Sequence, residues 1–166
     1  RLSASDRMVL DWKLQELEQL AERLEKVEAA MQAVYEQWPE AQWVDEVRGI
    51  GMVTAVSILA RIGPVERFPT AEDLISYAGL APGHRQSDGT FHSGRIGGGG
   101  TDGHLRYWVI ESMTWVCQIP RYRAAYERAC LKHGKNIARI IVARMLLRSL
   151  YKMLKEKVRF NQAPAA

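Results

Sequence analysis

Between Gly79 and Arg106 the chain contains a long segment with neither helical nor strand periodicity, GLAPGHRQSDGTFHSGRIGGGGTDGHLR. This loop concentrates hydroxyl, imidazole and guanidinium groups, namely those of His84, Arg85, Ser87, His92, Ser93, Arg95, His104 and Arg106. Hydroxyls can attack phosphorus, imidazoles can move protons, guanidinium groups can neutralise phosphate oxygens, and glycines allow a close backbone approach. The composition therefore favours binding or transfer of phosphate. A flexible linker is the alternative.

Helices are expected to hold this loop at both ends. Thr70 is a predicted cap for a short helix that runs to Ala78, and Gly79 terminates it. After the loop, Asp102 is a predicted cap for a helix that Pro120 closes. The loop is thus predicted to connect two helix ends.

A glycine turn precedes these elements, in the segment VRGIGMVTA at 47–55. Its spacing is that of a helix-hairpin-helix turn, in which the second glycine opens a helix whose free N–H groups can bind a backbone phosphate. Gly49 and Gly51 are therefore predicted nucleic-acid contacts. A tight turn with a purely structural purpose is the alternative.

Two further helices are predicted at about 121–133 and 136–159, separated by Gly134. The second carries a basic stripe at steps of three and four residues, which includes Arg144, Arg148 and Lys152. Like charges at this spacing repel, so a phosphate-bearing partner is one explanation for them. A solvated helix face is the other.

The N-terminal residues follow a heptad from Leu10 to Trp38, with apolar residues at Leu10, Leu17, Leu24, Met31 and Trp38 and, three residues on, at Leu20, Val27 and Val34. A leucine seam sustained over about four heptads is typical of a coiled coil. We predict a dimerisation arm or one limb of an intramolecular hairpin. An amphipathic helix packed on its own domain is the alternative.

Length and charge indicate one helical domain with an extension. The 166 residues are 47% hydrophobic, which suffices for a buried core. Residues 1–50 hold 6 Lys and Arg against 11 Asp and Glu, whereas residues 121–160 hold 12 against 2. The C-terminal part is therefore the predicted surface for a polyanion. We predict an all-α fold without strands, with a coiled-coil arm at 1–40, a helical domain at 41–160 and a tail at 161–166.

Other features exclude several classes of protein. No run of about 18 apolar residues could span a membrane, and the glycines at 97–100 lack the lysine of a phosphate-binding P-loop. Cys117 and Cys130 lie in helical patterns without CxxC spacing, which predicts reduced thiols in a cytoplasmic protein and no metal site. The chain begins at Arg1 without an initiator methionine, so we expect a fragment.

Several motifs occur in a distinctive order: VRGIGMVTAVSILARIG, RF, DLISYAGLAP, a Ser-x-Gly within the loop, GRI and HLR. This order resembles the C-terminal transposase domain of DEDD-type insertion-sequence transposases and Piv-type DNA invertases. The resemblance covers about residues 47–159, and those proteins also have a coiled coil in front of this domain.

The resemblance implies DNA recombination by a composite site. In the family, an N-terminal RuvC-like domain supplies four acidic metal ligands, for which we expect Mg²⁺, and the C-terminal domain supplies a serine nucleophile. Counted from the AP before the loop to the GRI after it, the family serine falls on Ser87. Ser87 would attack a DNA phosphodiester, with Arg85, Arg95 and Arg106 stabilising the charge that develops.

The resemblance also implies DNA as a partner, a guide RNA in the insertion-sequence branch, and a place at the bacterial or archaeal nucleoid. The RuvC-like half is absent from this chain, so we expect no cofactor in it and no catalysis by it alone. Asp88 stands where the family commonly has glycine, and Ser93 is therefore the reserve nucleophile. Two other functions stay open, a non-catalytic nucleic-acid-binding module and a coiled-coil assembly domain.

Overall fold

A computed structural model of the chain describes residues 3–81, 83–87, 90–94, 97 and 100–160, and it describes 83–87 and 90–94 by their backbone alone. Within these residues seven α-helices follow one another: α1 (Ala4–Glu36), α2 (Pro39–Asp45), α3 (Met52–Ile62), α4 (Ala71–Tyr77), α5 (Gly103–Val116), α6 (Pro120–His133) and α7 (Lys135–Glu156). The predicted all-α class is confirmed. Among these helices, none is long and apolar enough to cross a membrane.

The helix ends lie close to where the sequence signals placed them. Thr70 and Asp73 form a reciprocal capping box at the start of α4, and the Asp102 side chain accepts a hydrogen bond from the Leu105 N–H at the start of α5. Pro120 is the first residue of α6, and Gly134 separates α6 from α7. The capping side chains pair backbone N–H groups that the start of a helix leaves without a partner, and a proline at the first position has no such N–H group.

Helix α7 is the central element of the core, because α4, α5 and α6 all pack against it. The largest fully buried apolar side chains include Ile58, Leu59, Leu74, Leu105, Met113, Leu146, Leu147 and Leu150. One buried polar pair accompanies them, since the Tyr122 hydroxyl donates to Ser149 Oγ at 2.9 Å. Burial of these side chains supplies the main driving force that holds the helices together.

Helix α1 has no buried residue. On the predicted heptad seam, Leu17, Leu20 and Leu24 are 62%, 51% and 58% exposed. Only the C-terminal end of this region, with Met31 and Tyr35, packs against the core. The predicted helix is confirmed, and its leucine seam faces solvent in the single chain.

The expected absence of strands is wrong at one place. Two strands, β1 (Gly83–Ser87) and β2 (Thr90–Gly94), form an antiparallel hairpin inside the loop. The strand sequences GHRQS and TFHSG contain a single apolar residue, Phe91, so no alternation of apolar and polar residues indicated them. Asp88-Gly89 stands between the strands in sequence, and that dipeptide is a strong hairpin signal that could have predicted them.

Candidate nucleic-acid interface

The glycine turn lies between α2 and α3. Gly49 has φ +93° and packs against α5, where an added Cβ would lie 2.5 Å from Cβ of Trp115. Gly51 is the N-cap of α3, and a Cβ there would have no atom within 4 Å. Gly49 therefore has a structural reason to be glycine, whereas the open space beside Gly51 leaves the start of α3 accessible.

Arg48 and Trp115 extend the surface around this turn. The Arg48 guanidinium lies 5.7 Å from the centroid of the Trp115 ring, and the Trp115 side chain is 49% exposed. A cation above a half-exposed indole is a combination that suits phosphate and base contacts. The sequence patterns did not single out these two residues.

The hairpin carries both candidate nucleophiles, at different positions of the register. Ser87 ends β1 and pairs with Thr90, next to the hairpin tip, whereas Ser93 pairs with His84 nearer the base. Arg85 is also a residue of β1. The side chains of these residues, and the whole of Arg95, lie outside the described part of the chain. Their predicted roles remain predictions.

Asp102 organises the hairpin base, by which we mean the residues beside the two ends of the hairpin segment at 79–97, namely Arg61, Tyr77, Asp102, Arg106 and Arg144. Its carboxylate accepts hydrogen bonds from Leu105 N–H at 2.8 Å and Tyr77 Oη at 3.1 Å, and Arg61 Nε lies 3.5 Å away. Burial alone would raise the pKa of Asp102, but these bonds, the Arg61 charge and the His104 N–H together lower it. Asp102 thus joins α3, α4 and α5 as an ionised side chain that is only 9% exposed.

A polar pocket of about 290 Å³ opens beside this carboxylate, lined by Arg61, Tyr77, Gly100, Thr101, Asp102, Gly103 and His104. The described residues contain no group of three or more His, Cys, Asp or Glu side chains that could hold a metal ion. Asp102 is itself committed to hydrogen bonds with its neighbours. The described part of the chain therefore does not fit the Mg²⁺ expected for the full-length enzyme.

Arg106 projects from the first turn of α5 toward the two ends of the hairpin segment. A Cβ added at Gly79 would lie 2.6 Å from Arg106 Nη1, and one added at Gly97 would lie 3.0 Å from Arg106 Cζ. Nη1 is fully buried and has no hydrogen-bond partner among the described residues. Arg106 therefore lies at the hairpin base, and its predicted role as a phosphate contact remains a prediction.

The basic stripe of α7 has intramolecular partners. Arg144 Nε donates to the Leu80 carbonyl at 2.7 Å, and burial, with the neighbouring Arg148 charge second, lowers the pKa of Arg144. Arg148 Nε lies 2.7 Å from Glu72 Oε1, and Lys152 Nζ lies 3.9 Å from Glu156 Oε1. Repulsion along the stripe is thus relieved partly by α4.

These positions define two separate surfaces. Arg61 near the C-terminal end of α3 contacts the hairpin base, whereas Gly51 opens the same helix ten residues earlier, about 15 Å away along the axis. Arg106 and Arg144 belong to the hairpin base, and Gly49 with Gly51 belongs to the other end. Arg61 and Tyr77 are site residues that sequence reasoning missed, because their only signal is spatial proximity to Asp102.

Residues 41–127 match the model of the transposase IS116/IS110/IS902 family. The chain is 29% identical over 138 residues to the insertion element IS110 uncharacterized 43.6 kDa protein of Streptomyces coelicolor, covering 81% of this chain and 34% of that protein. It is 31% identical over 120 residues to pilin gene-inverting proteins of Moraxella bovis and Moraxella lacunata, covering 70% of this chain and 37% of each.

The chain thus spans about a third of the length of these curated relatives. The matched segment begins within α2 and ends within α6, so it contains the glycine turn, the hairpin and most residues of the hairpin base. Arg144 of α7 lies beyond it. The family model matches more than half of the chain, and the chain therefore belongs to the transposase IS116/IS110/IS902 family.

Proposed function

We propose that the chain is the nucleophile-bearing part of a DNA transposase or site-specific recombinase, with Ser87 as the nucleophile. The observation that carries the proposal is the hairpin, which presents Ser87 next to its tip and lies within the segment that matches the transposase family. Inversion of a pilin gene, the process named for two of the relatives, also requires DNA strands to be broken and rejoined.

In the proposed reaction, Ser87 Oγ forms a bond to the phosphorus of a DNA phosphodiester. The bond from phosphorus to one deoxyribose oxygen breaks, and that oxygen leaves as a hydroxyl group. The proton that the serine loses balances the one that the leaving oxygen gains. A second strand then attacks the phosphoserine linkage in the reverse sense, with Arg85 and Arg95 as the proposed phosphate contacts.

The metal ions and acidic residues of the RuvC-like type would come from outside the described residues. Mg²⁺ would lower the pKa of the attacking hydroxyl and neutralise phosphate charge. What this chain contributes is the serine, the cations near it and the frame that holds them. The partners we propose are DNA and, as in the insertion-sequence branch, a guide RNA.

The decisive experiment is covalent capture of DNA by the full-length transposase that contains this chain. Ser87→Ala is expected to abolish capture and strand exchange while nucleic-acid affinity stays nearly unchanged, because a hydroxyl that bonds only in the transition state adds little to ground-state binding. Ser93→Ala, the matched control on the partner strand, is expected to remain active. Activity of Ser87→Ala with loss in Ser93→Ala would move the nucleophile to β2, and activity of both would refute the serine mechanism.

Binding of nucleic acid by the chain itself is proposed to use phosphate contacts at Gly51, Arg148 and Lys152. Such binding depends on released counterions, so the affinity should fall steeply with salt, and each lost cation should reduce the logarithmic slope by about one. The competing function, a non-catalytic binding module, would show the same salt dependence without capture. Binding that ignored ionic strength would refute both.

Self-association through α1 is the second part of the proposal, favoured by its exposed leucine seam. A second copy is the occupant that fits, because an identical heptad can pair with it over several turns. Leu20→Asp with Leu24→Asp should reduce the molecular mass in solution to that of a monomer. Gln15→Asp with Gln19→Asp adds the same two charges off the seam and should leave the mass unchanged. A monomeric parent chain, or equal effects of the two variants, would exclude this interface.

A further inference from the structure

Two glycines at opposite ends of the hairpin segment share one neighbour. Gly79 immediately precedes Leu80, and Gly97 follows β2, yet both lie against the guanidinium group of Arg106. A Cβ at Gly97 would fall inside contact distance of Nη1 and lie 3.1 Å from Nη2. Real Cβ atoms essentially never lie within 3.0 Å of another heavy atom, so a larger residue at either position would force the Arg106 guanidinium to move, and at Gly79 the Thr101 side chain as well.

The backbone conformation at both positions agrees with this packing. Gly79 has φ +67° and Gly97 has φ +88°, values at which a side chain is strained. The chain thus turns sharply on each side of the hairpin, and at both turns it passes directly over the same guanidinium. Between these two positions in sequence, β1 and β2 are paired with each other.

The backbone of Arg106 is held in place at the start of α5. Its backbone N–H donates to the Asp102 carbonyl at 3.2 Å, and the preceding Leu105 is fully buried. The Asp102 carboxylate in turn joins Tyr77 and Arg61. Arg106 therefore reaches from a rigid helix start to both ends of the hairpin segment.

The enclosure of Nη1 distinguishes this arrangement from a phosphate contact. Nη1 is fully buried and has no hydrogen-bond partner among the described residues. A phosphate oxygen can reach only a nitrogen that is open to solvent, and the turns at Gly79 and Gly97 lie against this one. Contact with these two glycines therefore accounts for the enclosure of Nη1.

We propose that Arg106 is the positioning residue of the hairpin: its guanidinium, wedged between Gly79 and Gly97, holds the two ends of the hairpin segment together on the N-terminal end of α5. This inference rests on the proposed function, because the residue that the hairpin positions is Ser87. Arg106 then affects strand exchange through the hairpin and makes no phosphate contact of its own.

The structural part is tested in this chain by a double-mutant cycle. Gly97→Ala introduces both backbone strain and a collision with Arg106, whereas Gly100→Ala, the matched control at φ +82°, has no neighbour within 4 Å. Amide hydrogen exchange of β1 and β2, measured by NMR, reports hairpin opening. Gly97→Ala is expected to speed this exchange severalfold more than Gly100→Ala does.

The second half of the cycle removes the arginine. In an Arg106→Ala background the collision is gone, so Gly97→Ala and Gly100→Ala are expected to change the exchange rates equally. Equal effects of the two glycine substitutions in the parent chain, or additive effects throughout the cycle, would overturn the proposal. Should Arg106→Ala fail to fold, the comparison of Gly97→Ala with Gly100→Ala in the parent chain still supports or overturns it.

The functional part uses the full-length transposase. Arg106→Ala and Arg106→Lys are both expected to slow strand exchange while leaving nucleic-acid affinity and its salt slope unchanged, because a lysine stem cannot fill the space of the planar guanidinium. Full activity of Arg106→Lys, or a salt slope lowered by about one, would identify a charge contact and overturn the proposal. If Ser87→Ala stays active, the proposed function fails. The double-mutant cycle measured by amide hydrogen exchange still decides whether Arg106 holds the hairpin in place.

Discussion

Arg144 and Arg148 are successive cations of one helix stripe, yet their surroundings predict different effects on stability. Replacement of each by methionine keeps most of the aliphatic stem and removes the charge and the donors. In Arg144→Met the Leu80 carbonyl loses a charged donor at 2.7 Å. In Arg148→Met the chain loses an ion pair with Glu72 whose two side chains are 37% and 63% exposed.

The expected magnitudes follow from these contacts. A hydrogen bond from a charged group to a partly buried carbonyl contributes about 1.5–3 kcal/mol. An exposed ion pair contributes about 0–1 kcal/mol, because water and salt screen it. Arg144→Met should therefore destabilise the chain by roughly 1–2 kcal/mol more than Arg148→Met, given these two ranges. For a protein of this size that difference corresponds to about 2–8 °C in melting temperature.

The assay is thermal and urea unfolding followed by circular dichroism at 222 nm, at low and at moderate salt. Added salt should reduce the small effect of Arg148→Met further and leave that of Arg144→Met nearly constant. Equal destabilisation by the two substitutions, or a larger effect at Arg148, would refute the assignment of Arg144 as an anchor of the hairpin base. The same pair also bears on binding, since Arg148 is the more available cation for phosphate.

Two further predictions concern groups that link the helices. Tyr122→Phe should cost about 1–2 kcal/mol in urea unfolding, because it leaves the buried Ser149 hydroxyl without its donor, and Ser149→Ala added to it should recover part of the loss. The folded-state pKa of Asp102 lies below its unfolded value, so the stability that Asp102 contributes is present above pH ~4 and is lost as pH falls through the folded pKa. Asp102→Asn should accordingly show a flatter decline of unfolding free energy between about pH 5 and pH 2 than the parent chain, and an unchanged slope would contradict the ionised cap.

Local signals in the sequence were sufficient for the helices. Caps such as Asp102 and prolines at a helix start such as Pro120 act within one turn of the chain, so they can be recognised without knowledge of the fold. The hairpin was not predicted, because alternation of apolar and polar residues indicates a strand only where one face of the strand is buried. Its polar strands have no such pattern, and only the Asp88-Gly89 dipeptide signalled a turn.

Partners distant in sequence could not be predicted in the same way. Arg148 and Glu72 are 76 residues apart, and Arg144 is 64 residues from Leu80, so neither contact leaves a local signature. The stripe of α7 was therefore open to interpretation as a phosphate-binding face, and its contacts with α4 became visible only in the fold. A periodic row of cations can thus serve packing and binding at once.

The contacts at the hairpin base explain how a polar hairpin can be held in a defined position. β1 and β2 contribute little apolar surface, so a two-stranded hairpin of this kind has marginal stability by itself. Arg144 from α7 and Arg106 from α5 contact the chain on its two sides, at Leu80 and at Gly97. Since α5 and α7 also pack against each other in the core, the geometry of the hairpin depends on that packing. Under the function proposed above, a substitution at the contact between α5 and α7 should therefore change strand exchange by the full-length transposase, although it replaces neither Ser87 nor a proposed phosphate contact.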